Sequence, residues 1–314
     1  MNKLFLPVLF FLGLLNFHVS AQVKVTNLKS EHLQNPIGID ETHPRFTWQL
    51  ESEKLGSFQK AFQLVVGTEK AEVAFGNGNV WESGTVHSSV IPAVYNGPEL
   101  QPFSRYFWSV RVQDETDNWT DWSPVAFFET GMIDMANWKG KWITDTHNYN
   151  VKPAAYFRKE FSAGKQIASA RAYIAVAGLY ELSINGQRIG DHRLDPTYTR
   201  FDRRNLYVTY DVTENLKQGE NAVGVLLGNG WYNHQSTAVW FFDQAPWRAR
   251  PKFCMDLRIT WSDGSAETIS TGQDWQTAFS PVIFNSIYTA EHYDARLEQS
   301  GWDKPGFEAD GWRN

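Results

Sequence analysis

The sequence predicts an all-β protein made of two antiparallel β-sandwiches. Along most of the chain, apolar and polar residues alternate with the two-residue period of half-buried strands. No long segment shows the 3.6-residue apolar period of a helix. Clusters of glycine, asparagine and proline separate the strands at intervals that suit short antiparallel strands. The length of 314 residues is enough for two domains, each with its own core.

The overall composition is that of a folded globular protein, with 15% aromatic and 42% hydrophobic residues. A net charge of -6 and the lack of a basic stripe argue against a nucleic-acid partner. Cys254 is the only cysteine, so no internal disulfide can form. It falls on the strand face opposite an apolar row, and we expect a plain structural thiol there.

The first 21 residues have the pattern of a secretory signal peptide. Residues 1–3 carry a positive charge, residues 4–17 are nearly all apolar, and residues 19–21 form a site of the A-x-A type. The apolar run is shorter than the roughly 20 residues that span a bilayer. We therefore expect cleavage before Gln22, export to the periplasm or the exterior, and no membrane attachment of the mature chain.

The first half reads as one sandwich, predicted for residues 22–131. Residues 45–50 and 61–66 are short strand-like runs, and a longer run places four apolar residues on one face: Tyr106, Trp108, Val110 and Val112. The stretch "YFWSVRVQDETDNWTDWSPVAFFETG", residues 106–131, resembles the last strands of a fibronectin type III-like domain. Such a domain usually spaces, displays or braces its neighbours.

The second half reads as a jelly-roll sandwich, predicted for residues 137–314 and incomplete at its C-terminal end. Asn185-Gly186 follows an alternating run and is a strong hairpin signal, because both residues tolerate the positive φ of a type I′ turn. Asp263-Gly264 turns the chain after a second run. That run alternates strictly between apolar and other residues, with the apolar ones at Phe253, Met255, Leu257, Ile259 and Trp261.

The acids of the chain do not define a catalytic pair in the sequence. A glycoside hydrolase needs two carboxyl groups placed across the scissile bond, and many acids are present, especially after Tyr288. The sequence does not show which of them converge, so we assign no catalytic residue. His292 and Asp294 form an H-x-D pattern, but no third metal ligand stands at a characteristic spacing. Motifs for nucleotide or zinc-hydrolase chemistry are absent from the sequence.

The stretch from Gly228 to Pro251 combines many aromatic rings with polar residues, as ligand-binding sites do. Its rings are interleaved with the polar residues Asn233, His234, Gln235, Asp243 and Arg248. Sugar sites combine a flat aromatic face for the C–H side of the ring with polar groups that bind hydroxyls. The alternative is that most of these rings fill a core or cover a neighbouring domain, and the sequence leaves both readings open.

Two segments of the second half resemble the N-terminal region of bacterial α-L-rhamnosidases. They are "YELSINGQRIGDHRLDPTYTRFDRRNLYVTYDVTENLKQGENAVGVLLGNGWY", residues 180–232, and "EHYDARLEQSGWDKPGFEADGW", residues 291–312. With the fibronectin-like module, the resemblance covers nearly all of the mature chain. It implies part of a large secreted enzyme that removes terminal α-linked rhamnose with inversion, using an (α/α)6 barrel.

Such a barrel needs roughly a dozen helices, more than the residues left after two sandwiches can form. The sequence therefore predicts an accessory part without catalytic activity of its own, in a fragment or a truncated gene, whose missing partner is a downstream catalytic domain. We expect residues 22–314 alone to show no hydrolysis. The ligand implied by the resemblance is a rhamnose-containing glycan or glycoside.

The resemblance also implies a binding role, because some family members use the corresponding jelly roll as a calcium-dependent rhamnose-binding module. Calcium suits carboxylate ligands. The candidate sugar-binding residues are Trp240, Asp243, Asp191 and Trp231, and the candidate calcium ligands are Asp191 and Asp243. Three hypotheses follow: an accessory part of a rhamnosidase, a binding module without catalysis, and a structural or adhesive two-sandwich protein.

Overall fold

The computed structural model describes residues 23–235, 237 and 240–314, so the predicted signal peptide, residues 1–21, lies outside the described residues. Strands dominate the described part, and its one α-helix is the short Lys70–Ala74. The all-β prediction is confirmed. Among the described residues, no helix combines the length and the hydropathy that a membrane span needs.

The chain divides into two compact units. The first holds the residues up to Asn35, His43–Pro98 and Tyr106–Phe127. The second holds Pro36–Thr42, Glu99–Arg105 and Phe128–Asn314. Two short segments that precede residue 106 in sequence therefore belong to the second unit.

The first seven strands form two sheets. One sheet has the order β1-β2-β5, with β1 at Lys24–Ser30, β2 at Arg45–Glu51 and β5 at Ala93–Val94. The other has the order β4-β3-β6-β7, with β3 at Gln59–Gly67, β4 at Trp81–Glu82, β6 at Arg105–Asp114 and β7 at Ala126–Glu129. The pairs β1-β2, β2-β5, β3-β4 and β3-β6 are antiparallel.

The core of the first unit follows the predicted apolar row on β6. Its four members are all buried: Tyr106, Trp108, Val110 and Val112. The ring of Trp108 lies 4.6 Å from that of Phe46 on β2. Aromatic pairs at this distance stabilise a core beyond the area that they bury.

The second unit is a sandwich of a five-stranded and a four-stranded sheet. The five-stranded sheet has the order β11-β10-β13-β8-β16, with β8 at Ala155–Ala163, β10 at Leu179–Ile184, β11 at Gln187–Arg188, β13 at Gly219–Gly228 and β16 at Gln276–Phe279. The four-stranded sheet has the order β12-β9-β14-β15, with β9 at Ile167–Ala177, β12 at Tyr207–Asp211, β14 at Lys252–Trp261 and β15 at Ala266–Ser270. A separate hairpin joins β17, Val282–Ser286, to β18, Ala290–Tyr293.

The core of the second unit lies between its two sheets. Alternate residues of β9 and β14, such as Ile174 and Met255, pack in one cluster with residues of β10 and β13, such as Leu182 and Val225. All five apolar residues predicted to share a face of β14 belong to this cluster. Cys254 is free and buried on the other face of β14, and burial raises the pKa of its thiol to about 11. The prediction of a structural thiol is confirmed.

Both predicted turns are present. Asn185 and Gly186 have φ values of 54° and 80°, as a type I′ turn requires, and they join β10 to β11. The second turn carries Gly264 at φ 82°, and the Trp261 amide donates to the Ser265 carbonyl at 2.8 Å. These local signals therefore fix two of the hairpins of the second sandwich.

The last residues cover the outer face of the five-stranded sheet. The Trp302 ring stacks on Tyr156 of β8, with 3.9 Å between ring centroids. Arg158, buried on the same face, donates to the carbonyls of Trp302 at 2.8 Å and Lys304 at 3.1 Å. The closing stretch is thus an integral part of the second sandwich.

Candidate functional site

The aromatic-rich loop after β13 is held by a network of amide side chains. The backbone N–H of Asn229 donates to the side-chain Oδ1 of Asn285 at 2.7 Å. Asn233 is fully buried and donates through Nδ2 to Asn229 Oδ1 and to the Tyr149 carbonyl, both at 2.9 Å. Asn233 Oδ1 accepts a hydrogen bond from Arg248 Nε at 3.1 Å. Because each amide group is bonded on both sides, the network fixes the loop backbone beneath the rings.

Four rings pack around the ring of Trp231. We call these five residues the Trp231 cluster: Tyr198, Trp231, His234, Phe242 and Tyr288. The Trp231 ring lies 5.3 to 5.9 Å from each of the other four. Trp240 joins at the edge, 6.1 Å from Phe242, and its side chain is 81% exposed. The cluster therefore offers exposed ring faces on a fixed base.

Several buried polar atoms in this loop lack a partner among the described residues. His234 is 1% exposed, and neither of its ring nitrogens is bonded. Burial lowers the pKa of His234, and the nearby Arg248 lowers it further. Asp243 Oδ1 and Trp247 Nε1 are also buried without a partner in the described part of the chain. Buried polar atoms are normally bonded, so this group of atoms marks a place suited to a polar ligand or to ordered water.

A groove of about 700 Å³ runs beside the Trp231 cluster. Its lining is apolar at Leu179, Leu194 and Leu226, and polar at Glu181, Arg193 and Glu291. Gly230 and Ile287 also line it, and they directly precede Trp231 and Tyr288 of the Trp231 cluster in the sequence. The volume is within the range of small-molecule sites, roughly 300 to 1,000 Å³.

The groove carries polar groups that have free bonding capacity. The Glu291 carboxylate has no hydrogen bond or ion pair to any described residue, and Ser286 Oγ is buried with no partner among them. The nearest cationic atom to Glu181 is Arg188 Nε at 3.8 Å, beyond hydrogen-bond distance. Glu291, and Glu181 through the bonding capacity that its long contact with Arg188 leaves, can accept hydrogen bonds from the hydroxyl groups of a sugar whose ring packs on the apolar lining.

The structure brings together three of the four candidate residues. Trp231 lies at the centre of the cluster, Trp240 at its edge, and Asp243 follows Phe242 in the 3-10 helix Phe242–Gln244. Asp191 is different, because its side chain is 99% exposed. In the described structure its cationic neighbour is His192, 3.8 Å away, and none of its contacts joins it to the Trp231 cluster.

The two candidate calcium ligands do not form a metal centre by themselves. Calcium takes about six to eight oxygen ligands. No group of three or more His, Cys, Asp or Glu residues that could hold a metal ion exists within the described ranges. Asp191 and Asp243 therefore do not fit a complete calcium shell, and the calcium hypothesis stays a prediction that a binding measurement must test.

The two residues of the H-x-D pattern, His292 and Asp294, make local contacts. Asp294 caps the 3-10 helix Ala295–Leu297 by accepting from the Arg296 amide at 3.1 Å, and its carboxylate also pairs with the Arg296 side chain. The His292 ring packs 5.1 Å from that of Phe284 across the β17-β18 hairpin. Neither residue reaches a third ligand in the described structure.

The sequence patterns do not indicate two rings of the cluster, Tyr198 and Tyr288. Tyr198 comes from the segment before β12, and Tyr288 from the turn between β17 and β18, more than 50 positions from Trp231. No local pattern marks them, because only the packing of the β17-β18 hairpin beside the loop brings Tyr288 to 5.4 Å from Trp231.

Family models match both halves of the chain. Residues 25–134 match the model described as "Rha78A-like, N-terminal immunoglobulin domain", and residues 165–314 match the "Alpha-L-rhamnosidase N-terminal domain". Immunoglobulin and fibronectin type III domains share the sandwich architecture that the sequence predicts for the first half.

Relatives and solved structures agree with these models. An α-L-rhamnosidase of Formosa agariphila is 32% identical over 305 residues, which cover 88% of this chain and 32% of that protein. The structure of an α-L-rhamnosidase from Dictyoglumus thermophilum is 38% identical with a TM-score of 0.86, covering 93% of this chain and 33% of that one. The structure of an α-L-rhamnosidase from Aspergillus terreus is 30% identical with a TM-score of 0.82, covering 93% of this chain and 34% of that one.

The fold defines an all-β chain with two consecutive β-sandwich domains. The chain belongs to the α-L-rhamnosidase family, of which it carries the two N-terminal domains. It spans about a third of the length of the relatives that it matches.

Proposed function

We propose that this chain is the N-terminal accessory part of a secreted α-L-rhamnosidase that removes terminal α-L-rhamnose from glycans or glycosides. The observation that carries the proposal is the match of two consecutive domains, in order, to the N-terminal domains of this family. We assign the catalytic (α/α)6 barrel to a region outside residues 1–314. Export to the periplasm or the exterior is part of the proposal, supported by the apolar pattern of residues 4–17.

Within this role, the groove and the Trp231 cluster bind the rhamnose-containing ligand. Rhamnose is a 6-deoxy sugar, so one edge of its ring carries a methyl group and the others carry hydroxyls. The methyl group suits the apolar floor at Leu179 and Leu226, while Glu181 and Glu291 accept hydrogen bonds from the hydroxyls. An exposed ring such as Trp240 offers a face for the C–H side of a second sugar.

The second candidate is a binding module that holds a rhamnose-containing polysaccharide with calcium. The partnerless Oδ1 of Asp243 and the exposed rings around it favour this alternative over a purely structural role. Calcium enters this alternative only as a test condition, since the described carboxylates do not fit a complete shell.

Calorimetric titration of residues 22–314 with L-rhamnose tests the binding role. We expect the parent chain to give a heat of binding. In Trp231→Ala, we expect the apparent affinity to fall at least ten-fold. Trp142→Ala, which removes a partly exposed ring in the same unit, is the matched control and should bind as the parent does. Repeating the titration with calcium and then with a chelator separates the two candidates. No heat under any condition would contradict a sugar site in this groove.

The enzymatic part of the proposal has its own test in the encoding DNA. An open reading frame beyond codon 314 that encodes helical repeats with paired acids supports an α-L-rhamnosidase. A frame that encodes no such region would contradict the assignment, whatever the titration shows.

A further inference from the structure

A second cavity, of about 350 Å³, lies on the outer face of the four-stranded sheet of the second unit. It is lined by Phe103, Arg105, Glu129, Ser169, Arg171, Tyr173, Arg258 and Thr260. All eight residues belong to the second unit. The cavity shares no lining residue with the sugar groove, and the proposed binding role makes no use of it.

Positive charge is in excess in this lining, where three guanidinium groups face one carboxylate. Glu129 is buried and engages two of them, accepting from Arg171 Nε at 2.7 Å and lying 3.0 Å from Arg105 Nη2. Asp211 Oδ1 lies 2.9 Å from Arg171 Nη1. Arg171 and Arg105 are therefore compensated by these two carboxylates.

Arg258 is the exception among the three. It stands directly opposite Arg171 across the β14-β9 pair, an arrangement that is destabilising for two like charges. No carboxylate of the described residues lies within 4.0 Å of its guanidinium. Asp256, two positions earlier on the same strand face, is engaged elsewhere, since it accepts from the amides of Lys139 and Gly140 at 2.8 Å.

The Arg258 guanidinium is positioned by an aromatic ring. It lies 4.7 Å from the centroid of the Phe103 ring. A guanidinium that packs on a ring keeps its five N–H donors, and the planar fork matches a carboxylate or sulfate group. Phe103 has φ 56°, an unfavourable backbone region for a phenylalanine. Such conformations persist where the surroundings impose them and are frequent at binding sites.

Hydroxyl groups complete the cavity beside Arg258. Ser169 and Thr260 are cross-strand partners in the next row of the β14-β9 pair. Both line the cavity, and neither hydroxyl bonds to another described residue. A single site thus offers one uncompensated cation and two free hydroxyl donors.

We propose that this cavity binds one oxyanion group, a carboxylate or a sulfate, through Arg258 with help from Ser169 and Thr260. Charge-assisted bonds from a planar guanidinium to an oxyanion are among the strong ones in proteins. The group is carried by the glycan, so the chain recognises an acidic or sulfated rhamnose-containing polymer. The glycan part rests on the proposed function, whereas the oxyanion site rests on the cavity alone.

Titrations of residues 22–314 at constant ionic strength in chloride test the proposal with three probes: sodium sulfate, sodium D-glucuronate and L-rhamnose. We expect one binding event per chain for at least one anion. Sulfate alone points to a sulfate ester and glucuronate alone to a uronic acid. Absence of heat with both anions would overturn the proposal.

Variants separate this site from general salt effects. Arg258→Met should weaken anion binding at least ten-fold, and Thr260→Val, which keeps the side-chain shape, several-fold. The matched control is Arg111→Met, which removes an arginine packed 4.9 Å from the Trp122 ring in the first unit. Equal weakening in the control, or none in both test variants, would overturn the assignment. Trp231→Ala should leave anion binding unchanged, so a failed sugar site and a failed anion site are distinguishable.

Discussion

Arg250 and Asp145 form an ion pair whose side chains are only 5% and 4% exposed. Arg250 Nε donates to Asp145 Oδ1 at 3.0 Å, and Arg250 Nη1 donates to the Val151 carbonyl at 2.8 Å. Asp145→Asn leaves the guanidinium charge buried without its counter-charge. We expect the free energy of unfolding to fall by about 3–5 kcal/mol, measured by urea denaturation.

The control for this prediction is an exposed ion pair. Asp117→Asn removes the largely exposed partner of Lys60, and we expect a change below about 1 kcal/mol. Similar losses in both variants would show that the burial of the Arg250–Asp145 pair is not what makes it strong.

His234 predicts a dependence of stability on pH. Burial holds the pKa of His234 in the folded state below its pKa in the unfolded chain. At pH values between these two pKa values, the unfolded state therefore binds more protons than the folded state. The folded state therefore loses stability as the pH falls through the unfolded pKa of about 6.5. His234→Gln should lose less stability between pH 7.5 and pH 5 than the parent does, measured by urea denaturation at each pH. The exposed His87→Gln should follow the parent curve, and a parallel fall in His234→Gln would contradict the prediction.

Single residues also show how far sequence reasoning reaches at the site. Trp231 was found because its stretch combines rings with polar residues. The burial of His234 and the approach of Tyr288 were not, because both depend on how the β17-β18 hairpin and the 3-10 helix at Phe242 pack around the loop. Composition and position indicate Asp191, but its full exposure is a tertiary property that its neighbours in sequence do not determine.

At the level of elements, β13 depends on a glycine beneath the covering C-terminal segment. A Cβ at Gly224 would lie 2.7 Å from the Trp302 ring and 2.8 Å from Ser183 Oγ. Gly224→Ala should move Trp302 off Tyr156 and lower the free energy of unfolding by about 1–3 kcal/mol. Near-ultraviolet circular dichroism should lose part of its tryptophan signal. Gly164→Ala, where a Cβ meets open space, is the control, and an unchanged signal in Gly224→Ala would contradict the packing.

Strands and turns were largely predictable because their causes are local. The alternating apolar row on β14 and the Asn185-Gly186 turn each depend only on residues that are close together in the sequence. The strand order β11-β10-β13-β8-β16 was not predictable, because it joins β8 to β16 across more than 100 residues. Family resemblance supplied what local patterns could not, namely the order of the domains.

For the molecule as a whole, we expect residues 22–314 to leave an aryl α-L-rhamnoside uncleaved, since the family resemblance implies catalysis by an (α/α)6 barrel, whereas the described residues form β-sheets. Release of the aryl group, followed by absorbance, checks this. Turnover by the purified chain that disappears in Glu291→Ala or Asp294→Ala would show that the chain is itself catalytic. Turnover that both variants retain would point to a contaminating enzyme.

The contact between the last residues and β16 has a consequence for solubility. β16 is an edge strand, and Thr277 exchanges two backbone hydrogen bonds with Arg313, at 2.7 and 3.0 Å. An uncovered edge is a template for pairing with another chain. A version that ends at Gly311 should therefore self-associate in light scattering while the parent stays dispersed, and equal dispersion would show that the edge is protected in another way. The last three residues would then protect the protein against misassembly.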